Sequence, residues 1–267
     1  MNFKKGSRLV KLKDKKALVT GGGRGIGKAI AMAFALEGAD VIVSARSEDQ
    51  LAETVKLIEA TGRKGIAVKV DMSRREMLQP FVKEVSSHFP VLDILVNNAG
   101  IGSAMRARYI ADFEDDYWDE TIEINLTVPY LLTKAFLPAM IKAGWGRIIN
   151  ISSMAGKTGM PTGAAYCASK HGLIGLTRTA AEEAAATGVT VNAICPGPTN
   201  TPMMDERFKA SAELFGTTVE HLKATVNPMK RIIEPEEVAD LAVFLAAETG
   251  RGITGQSWNI SGGAMIH

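Results

Sequence analysis

The sequence predicts an α/β fold built on one doubly wound parallel sheet of about seven strands. Short apolar runs rich in β-branched residues alternate with longer helical stretches along the 267-residue chain. The runs show no polar alternation, which is typical of strands covered by helices on both faces. Strand–helix units recur at intervals of about thirty residues, and this spacing favours parallel strands joined by crossover helices.

The elements follow one another in a regular order. The predicted strands occupy residues 16–20, 40–45, 65–70, 92–99, 146–153, 189–197 and 256–261. Helical stretches lie between the first strands at 27–39 and 48–62, and we expect them to stop at Gly38 and Gly62 because glycine commonly ends helices. Since no linker or repeat divides the chain, residues 1–267 are expected to form a single domain.

Residues 198–234 interrupt this order. The segment contains Pro198, Pro202 and Pro228 together with apolar helical pieces around MMDERF and AELFG, but no strand. An insertion that follows a strand on the ligand side of a parallel sheet is where substrate loops are commonly built. We therefore expect a helical lid over a ligand site.

Composition and charge limit the classes of partner. The net charge of +2 gives no overall field that would attract nucleic acid or anionic lipid. Residues 1–13 are rich in lysine and arginine, and we expect a solvated basic tail there. No apolar run reaches the roughly twenty residues of a membrane span, and no signal peptide is visible. A cytoplasmic protein without membrane or nucleic-acid partners is the prediction.

The two cysteines, Cys167 and Cys195, are too few for a disulfide framework or a zinc site. We expect both to be buried free thiols and predict no metal site.

The stretch TGGGRGIG at residues 20–27 joins the first predicted strand to the first predicted helix. Glycines at such a turn permit a tight bend and close backbone approach, and the helix N-terminus presents free N–H groups to an anion. This context predicts a binding site for a nucleotide phosphate.

The end of the second predicted strand bears on which nucleotide is bound. Dinucleotide folds that prefer NAD usually carry Asp or Glu there, whereas this chain reads Ser44, Ala45 and Arg46. Arg46 and the loop residue Arg24 suit a phosphate on the ribose 2′ position. NADP(H) is therefore the favoured cofactor, with NAD(H) as the alternative.

A second group of polar residues lies at 152–170. Ser152 and Ser153 end the fifth predicted strand, and Tyr166 and Lys170 are spaced to lie on one face of the next helix. We expect the Lys170 charge to lower the pKa of the Tyr166 phenol from near 10 towards 7, so that Tyr166 acts as a general acid or base. A serine hydroxyl would hold a carbonyl oxygen beside that phenol.

These residues together resemble the short-chain dehydrogenase/reductase (SDR) family, and the resemblance runs from about Lys13 to Gly263. The family motifs occur in order: T-G-x-x-x-G-x-G at 20–27, Asp71, N-N-A-G at 97–100, Asn125, Ser153, Y-x-x-x-K at 166–170 and P-G-x-x-x-T at 196–201. The resemblance implies a Rossmann-type fold in a single dinucleotide-binding and catalytic domain. It also implies an NAD(P)-dependent oxidoreductase acting on CH–OH groups.

The resemblance implies four catalytic residues. Ser153, thirteen residues before Tyr166 as the family pattern requires, would orient the substrate carbonyl. Tyr166 would exchange the proton, and Lys170 would bind the nicotinamide ribose while lowering the tyrosine pKa. Asn125 would hold a water molecule in the proton relay.

The resemblance also implies the cofactor contacts. Asp71 would bind adenine, Asn97 would support the adenine ribose, and Thr201 would reach the carboxamide or pyrophosphate. Arg24 and Arg46 match the NADP-preferring pattern of the family. The remaining expected contacts are Thr20, Gly21, Gly25, Ile26, Gly27, Ala99, Gly100, Tyr166, Lys170, Pro196, Gly197 and Thr199.

The substrate is less well defined by the sequence. Within the family the chain is similar to 3-oxoacyl reductases and polyketide ketoreductases, although Ala185 to Gly188 lack the basic residue that carrier-protein reductases commonly keep. Free ketones, secondary alcohols, steroids and sugars are alternatives. By analogy the pocket walls are Ile101, Met105, Met154, Met160, Met203, Met204 and Phe208.

Two further hypotheses concern the protein as a whole. A catalytically silent NADP-binding regulator is the non-enzyme alternative, but such a protein is expected to lose Ser153, Tyr166 or Lys170, and all three are present. The family resemblance implies a homotetramer, built from the helices flanking the fifth strand and from residues 235–263. The tail 264–267 would either reach a neighbouring subunit or fray.

Overall fold

The computed structural model describes residues 10–104 and 106–266 and contains one parallel sheet of seven strands. The strand order is β3-β2-β1-β4-β5-β6-β7, so the chain winds outward in both directions from β1 and β4. The strands are β1 Lys16–Thr20, β2 Asp40–Ala45, β3 Gly65–Lys69, β4 Ile94–Asn97, β5 Gly146–Ile151, β6 Val189–Pro196 and β7 Ser257–Ile260. The predicted fold class is confirmed.

Helices cover both faces of this sheet. They are α1 Gly25–Leu36, α2 Glu48–Glu59, α3 Leu78–His88, α4 Asp115–Ile122, α5 Val128–Ala143, α6 Ala164–Ala184, α7 Pro202–Phe215, α8 Val219–Ala224 and α9 Pro235–Ala246. As predicted, α1 and α2 end shortly before Gly38 and Gly62.

The alternation of side chains along the strands divides the core into two layers. Val41 and Val43 of β2 face one layer, which also includes side chains of α1 and α9. Ile42 of the same strand faces the other layer, which α3, α5 and α6 cover. Every residue of β6 is buried. The uniformly apolar strands therefore reflect burial on both faces.

A continuous helical segment, Asp115–Ala143, joins α4 to α5 through a π-helical stretch, Glu123–Thr127. By length and composition this segment could cross a membrane. Its apolar side chains Leu132, Phe136 and Met140 are buried in the core layer beneath the sheet. The segment is therefore apolar because it is a helix of the protein core.

The predicted solvated tail requires a correction at its end. Residues 1–9 lie outside the described part of the chain, but 10–14 form a turn packed beside α1. Leu12 is 1% exposed, and its backbone N–H donates to the carbonyl of Glu37. Leu12 therefore departs from the prediction because its side chain enters the core, whereas Val10, Lys11 and Lys13 remain exposed.

The lid region folds into α7 and α8, as the sequence predicts. Thr201 caps α7 by accepting the backbone N–H of Met204, and Thr218 caps α8 through His221. An isolated parallel bridge between Thr199 and Ile233 joins the two ends of the segment. The lid is therefore anchored where it leaves and re-enters the sheet.

Candidate active site

A single cleft of about 790 Å³ runs along the carboxyl ends of the strands, between the glycine loop and the lid. Sixteen of the nineteen catalytic and cofactor residues predicted from the sequence line this cleft. The three that do not are Thr20, Asn97 and Asn125. Strand ends at the point where the strand order reverses are the usual ligand site of such sheets.

The glycine loop presents backbone rather than side chains to the cleft. Gly25 has φ 54°, a left-handed conformation that favours glycine. A Cβ on Gly27 would collide with the backbone oxygen of Gly21, so the loop closes tightly on itself. These glycines therefore allow one part of the loop backbone to pack closely against another, in addition to leaving room for a ligand.

The N-terminus of α1 has no capping side chain and no acidic residue in its first turn. Its first helical hydrogen bond runs from the N–H of Lys28 to the carbonyl of Arg24. The N–H groups of Gly25, Ile26 and Gly27 precede that bond and point out of the helix end. A phosphate fits this arrangement, because the N–H groups and the helix dipole both favour an anion.

Arg24 and Arg46 are exposed at the same end of the cleft. Within the described chain neither guanidinium forms an ion pair with a carboxylate. Ser44 beside them is fully buried, and its hydroxyl has no hydrogen-bond partner. The residues present fit a nucleotide that carries an additional phosphate near β2.

Asp71 lies just beyond β3 and is held by Ser73, whose N–H and hydroxyl both donate to Oδ1, at 3.1 and 2.8 Å. Burial alone would raise the pKa of Asp71, but the Ser73 hydrogen bonds and the Arg46 and Arg74 charges lower it overall. The carboxylate is thus ionised and oriented at the cleft wall, where it can accept hydrogen bonds from a base.

Thr20 and Asn97 are corrections to the predicted cofactor contacts. The Thr20 hydroxyl is buried and accepts the backbone N–H groups of Asn98 and Ala99. Asn97 is 2% exposed and donates to Asn150 at 2.8 Å, on the side away from the cleft. Successive residues of a strand point to opposite faces, so Asn98 lines the cleft instead.

Ser153 and Tyr166 meet at the centre of the cleft. Ser153 follows β5, and its Oγ accepts the N–H of Ala155 at 3.1 Å. Tyr166 projects from the first turn of α6 into the same cleft, and the interaction with Ser153 lowers the pKa of its phenol. Ser152 instead donates to the carbonyl of Lys170 at 3.0 Å, inside the fold. The predicted choice of Ser153 over Ser152 agrees with this placement.

Lys170 lies one helical turn beyond Tyr166, as the spacing predicts. Its Nζ donates to the carbonyl of Ile151 at 2.8 Å and lies 5.7 Å from the centroid of the Tyr166 ring. Burial lowers the pKa of Lys170 to about 8. With this pKa Lys170 is still mostly protonated at pH 7 and loses its charge as the pH rises above about 8.

The predicted direction of the Tyr166 pKa shift is wrong. Burial raises the pKa of the Tyr166 phenol, and this effect exceeds the lowering by the Ser153 hydrogen bond and the Arg207 charge. The sequence reveals the Tyr166–Lys170 spacing but not the desolvation of the phenol. Tyr166 is protonated at neutral pH and is thus equipped to donate a proton.

The Asn125 side chain is fully buried and does not reach the cleft. Its Oδ1 accepts the N–H of Ile101 at 2.9 Å, and its Nδ2 donates to the Ile101 carbonyl and to Ser169. A Cβ on Gly100 would lie 3.0 Å from that Oδ1 and 3.6 Å from the Lys170 Nζ. Asn125 therefore positions the loop after β4, and its role in holding a relay water stays a prediction.

The segment after β6 completes the cofactor side. Pro196, Gly197, Thr199 and Thr201 line the cleft. The Thr201 methyl group is the nearest atom to the position of a Cβ on Gly25, at 3.1 Å. The entry to the lid thus packs against the glycine loop, and both border the cleft.

The predicted substrate side is formed by three separate segments. Six of the seven predicted wall residues line the cleft, and Met105 lies outside the described residues. The sequence reasoning missed Arg207, which projects from α7 into the same region. Its signal was available in the MMDERF stretch, as a cation on a predicted lid helix.

Cys167 lies in the first turn of α6, next to Tyr166, and Cys195 lies near the end of β6. Cys195 is buried as predicted, whereas Cys167 is partly exposed. Burial is the largest effect on both thiols and raises the pKa of each. Both are thus neutral thiols at neutral pH.

Comparisons with known proteins agree with this geometry. A family profile described as short chain dehydrogenase matches residues 15–212. A D-beta-hydroxybutyrate dehydrogenase of Cupriavidus necator is 40% identical over 259 residues, which cover 94% of this chain and 98% of that protein. A 3-oxoacyl-[acyl-carrier-protein] reductase of Synechocystis sp. is 40% identical over 252 residues, covering 94% and 96%.

A solved structure shows the same likeness in three dimensions. A variant of actinorhodin polyketide ketoreductase, crystallised with NADPH, superimposes with a TM-score of 0.89 at 35% identity. The match covers 95% of this chain and 98% of the ketoreductase. Together with the cleft and its ordered motifs, these matches show that the chain belongs to the short chain dehydrogenase family.

Proposed function

We propose that this oxidoreductase interconverts a ketone and a secondary alcohol with NADP(H) as its cofactor. The observation that carries the proposal is the grouping of Ser153, Tyr166 and buried Lys170 in the cleft that also contains the glycine loop. The family and the named relatives share this class of reaction, which acts on hydroxyl and keto groups.

The cofactor proposal rests on the glycine-loop end of the cleft. The uncapped N-terminus of α1 would hold the pyrophosphate, and Asp71 would accept a hydrogen bond from the base. Arg46 and Arg24 form no ion pair with a carboxylate in the described chain and would bind the 2′-phosphate. The ketoreductase with NADPH bound supports the same choice.

Proton transfer is assigned to the chain's own residues. The reduced nicotinamide supplies the hydride when bound. Ser153 would donate a hydrogen bond to the substrate oxygen and hold it beside the Tyr166 phenol. The phenol would give its proton to that oxygen during reduction. The Lys170 ammonium, one turn away, would then stabilise the phenolate that remains.

The proposed substrate carries its oxygen on the third carbon of an acyl chain. The relatives named for beta-hydroxybutyrate and for 3-oxoacyl groups share this feature. The substrate side of the cleft is lined by Met154, Met160, Met203 and Phe208. Methionine side chains adapt to irregular apolar shapes, which suits an aliphatic chain.

A cofactor and substrate panel tests the proposal. Oxidation of NADPH and of NADH would be followed by absorbance with acetoacetate, an acetoacetyl thioester, a steroid ketone and a keto-sugar. We expect turnover with NADPH and a 3-oxo compound, and weaker use of NADH. Turnover confined to the steroid ketone or the keto-sugar would contradict the proposed class of 3-oxo substrates. Equal rates with NADPH and NADH would overturn the NADP(H) preference.

We also propose that the protein is a homotetramer. Large apolar side chains remain exposed on the elements that the family pattern assigns to subunit contacts, namely Tyr130 and Ile141 on α5, Phe244 on α9 and Trp258 on β7. Their burial in an interface would be favourable. Sedimentation equilibrium tests this, and a monomer would contradict it. A cytoplasmic location without membrane or nucleic-acid partners stays a prediction from composition.

A further inference from the structure

The guanidinium of Arg207 is a cation inside the substrate end of the cleft. Arg207 lies on the lid helix α7, is only partly exposed and lines the cleft together with Tyr166. Its Nη1 donates to Thr162 Oγ1 just before the start of α6, so the group lies on the Tyr166 side of the cleft, and its charge interacts with Tyr166 and Cys167. Burial lowers its pKa, which shows that the charge is poorly solvated.

In the described part of the chain, the hydrogen-bond partners of this guanidinium are neutral oxygens. Nη1 donates to Ser103 Oγ at 3.3 Å and to Thr162 Oγ1 at 3.1 Å, and Nη2 donates to the Pro161 carbonyl at 3.2 Å. Across residues 10–104 and 106–266, no carboxylate forms an ion pair with it. Among the described residues, the groups that can become negative and interact with it are Cys167 and Tyr166, and burial favours the neutral form of both.

Other arginines of the molecule show how unusual this arrangement is. Arg106 pairs with Glu114 and Asp116, and Arg231 forms a two-point pair with Glu237. The neighbouring acid on α7, Asp205, is exposed and pairs with Lys223 at 3.5 Å instead. A partly buried cation is costly without an anion. The described part of the chain therefore provides no counter-ion for the charge of Arg207, and a bound anion would supply one.

The guanidinium is also held in place. Thr162 is 5% exposed and has φ 60°, a strained conformation for a β-branched residue. In that conformation the Thr162 hydroxyl accepts a hydrogen bond from Arg207. The hydroxyl of Ser103, in the loop after β4, accepts a second one from the same guanidinium. Three segments thus fix one cation, as a preorganised binding group requires.

We propose that Arg207 binds the carboxylate of the substrate and makes the enzyme specific for free 3-oxo and 3-hydroxy carboxylic acids. The inference rests on the proposed function and narrows its substrate class. A guanidinium suits a carboxylate because it donates two parallel hydrogen bonds. Arg207 and Tyr166 line the same cleft, an arrangement that suits the carboxylate of a short acid better than the distant phosphate of a carrier arm.

Paired substrates measure this specificity directly. Acetoacetate and its uncharged ethyl ester present the same ketone. The ratio of their kcat/KM values with NADPH therefore measures the effect of the carboxylate charge on specificity. We expect the wild-type ratio to favour acetoacetate and Arg207→Gln to reduce that ratio by about 10- to 100-fold, the value of a charge-assisted hydrogen bond. Arg207→Lys keeps the charge and is expected to retain most of the preference.

Lys209→Gln is the matched control. Lys209 lies on the same helix, is exposed and does not line the cleft, so its loss removes the same charge from the lid. We expect its acid-to-ester ratio to equal that of the wild type. A ratio that Arg207→Gln leaves unchanged, or that Lys209→Gln reduces equally, overturns the assignment.

A binding measurement separates this inference from the proposed function. Acetoacetate with NADP⁺ cannot react, so calorimetry reports its affinity without turnover. We expect the dissociation constant to rise by about 10- to 100-fold in Arg207→Gln and to be unchanged in Lys209→Gln. If the wild type reduces neither substrate, the proposed function fails, but the calorimetry still shows whether Arg207 binds a carboxylate. Equal affinity of the wild type and a folded Arg207→Gln protein, with matching far-UV circular dichroism, overturns it.

Discussion

The two ends of the cleft are built from different parts of the chain. At the cofactor end, the loop 20–27 and the strand ends present backbone N–H groups and only a few side chains, such as Asp71 and Arg46. At the substrate end, side chains from α7 and from the loops at 101–104 and 154–162 form the walls. One end is made mainly of backbone and the other mainly of side chains.

This difference assigns separate tasks to the two ends. Backbone N–H groups recognise a phosphate whatever the neighbouring side chains are, so the cofactor end is suited to one constant ligand. Side chains on a lid can be exchanged without moving the sheet, so the substrate end determines specificity. Tyr166 and Lys170 lie between the two ends. A substitution at the cofactor end should therefore affect cofactor binding alone, and one at the substrate end should affect the substrate alone.

The largest effect is expected from Tyr166→Phe, which removes the proton donor between the two ends. Loss of a general acid typically reduces turnover by about 10²- to 10⁴-fold, and kcat for reduction of a 3-oxo substrate should fall by that amount. The affinity for NADPH, measured by fluorescence titration, should change less than about 3-fold, because the phosphate contacts lie elsewhere.

Ser152→Ala is the control for Tyr166→Phe. Ser152 follows the same strand as Ser153, but its hydroxyl bonds to the Lys170 carbonyl within the fold. We expect reduced stability with most of the turnover retained. Full activity in Tyr166→Phe would refute the proposed proton transfer, and loss of NADPH binding would show that the two ends are not independent.

The sequence predicts the backbone-built parts of this molecule best. Six of the seven predicted strands begin within one residue of the observed strands; β4, predicted at 92–99, is observed as Ile94–Asn97. Burial on both faces leaves an unbroken apolar run, which is a strong local signal. The ends of β4 are less predictable because the flanking residues Leu92 and Asn98 pack or bond outside the strand ladder.

The site is predicted well where it depends on local spacing and less well where it depends on orientation. The four-residue step from Tyr166 to Lys170 is set by the helix period. Whether Asn97 or Asn98 faces the cleft depends on the pleat of β4, and the pKa of Tyr166 depends on burial among distant segments. Arg207 was missed because its partners lie forty or more residues away in the sequence.

The cofactor end can be tested alone with Arg46→Ala. Loss of one charge-assisted contact with the 2′-phosphate should weaken NADPH binding by about 10- to 100-fold. NADH lacks that phosphate, so its affinity should change less than about 3-fold. Titration of both cofactors measures the difference. Arg178→Ala removes an exposed arginine of α6 outside the cleft and should alter neither affinity; equal weakening of both cofactors by Arg46→Ala would contradict the phosphate contact.

The backbone of the same end can be tested with Gly27→Ala. The added Cβ would overlap the Gly21 carbonyl and the Asn98 amide, so the loop must shift. Overpacking of this kind typically lowers the free energy of unfolding by about 1–3 kcal/mol, and NADPH binding should weaken with it.

Gly175→Ala is the matched substitution within α6. A Cβ there meets no atom within 4 Å, so the change should raise helix stability by up to about 1 kcal/mol. Urea denaturation of both variants measures these effects. Equal stability of Gly27→Ala and the wild type would show that the loop is not tightly closed.

The smallest expected effect is the pH dependence that Lys170 gives to folding. The native pKa is lowered to about 8 by burial, whereas the reference value is 10.5. Between these values the native protein has released a proton that the unfolded chain still holds, so the free energy of unfolding rises with pH. Below about pH 8 the full cost of the buried charge is present, and above about pH 10.5 it has vanished.

Lys170→Met isolates this contribution from the titration of tyrosines and cysteines. Methionine removes the buried charge, so the variant should be more stable than the wild type near pH 7, apart from the loss of the Ile151 hydrogen bond. Its advantage should decline between about pH 8 and 10 by up to about 1.4 kcal/mol per pH unit. Urea denaturation without cofactor at several pH values measures the difference. A difference that does not vary with pH would mean that Lys170 keeps its proton in the folded protein, and that its charge is available to both ends of the cleft throughout this range.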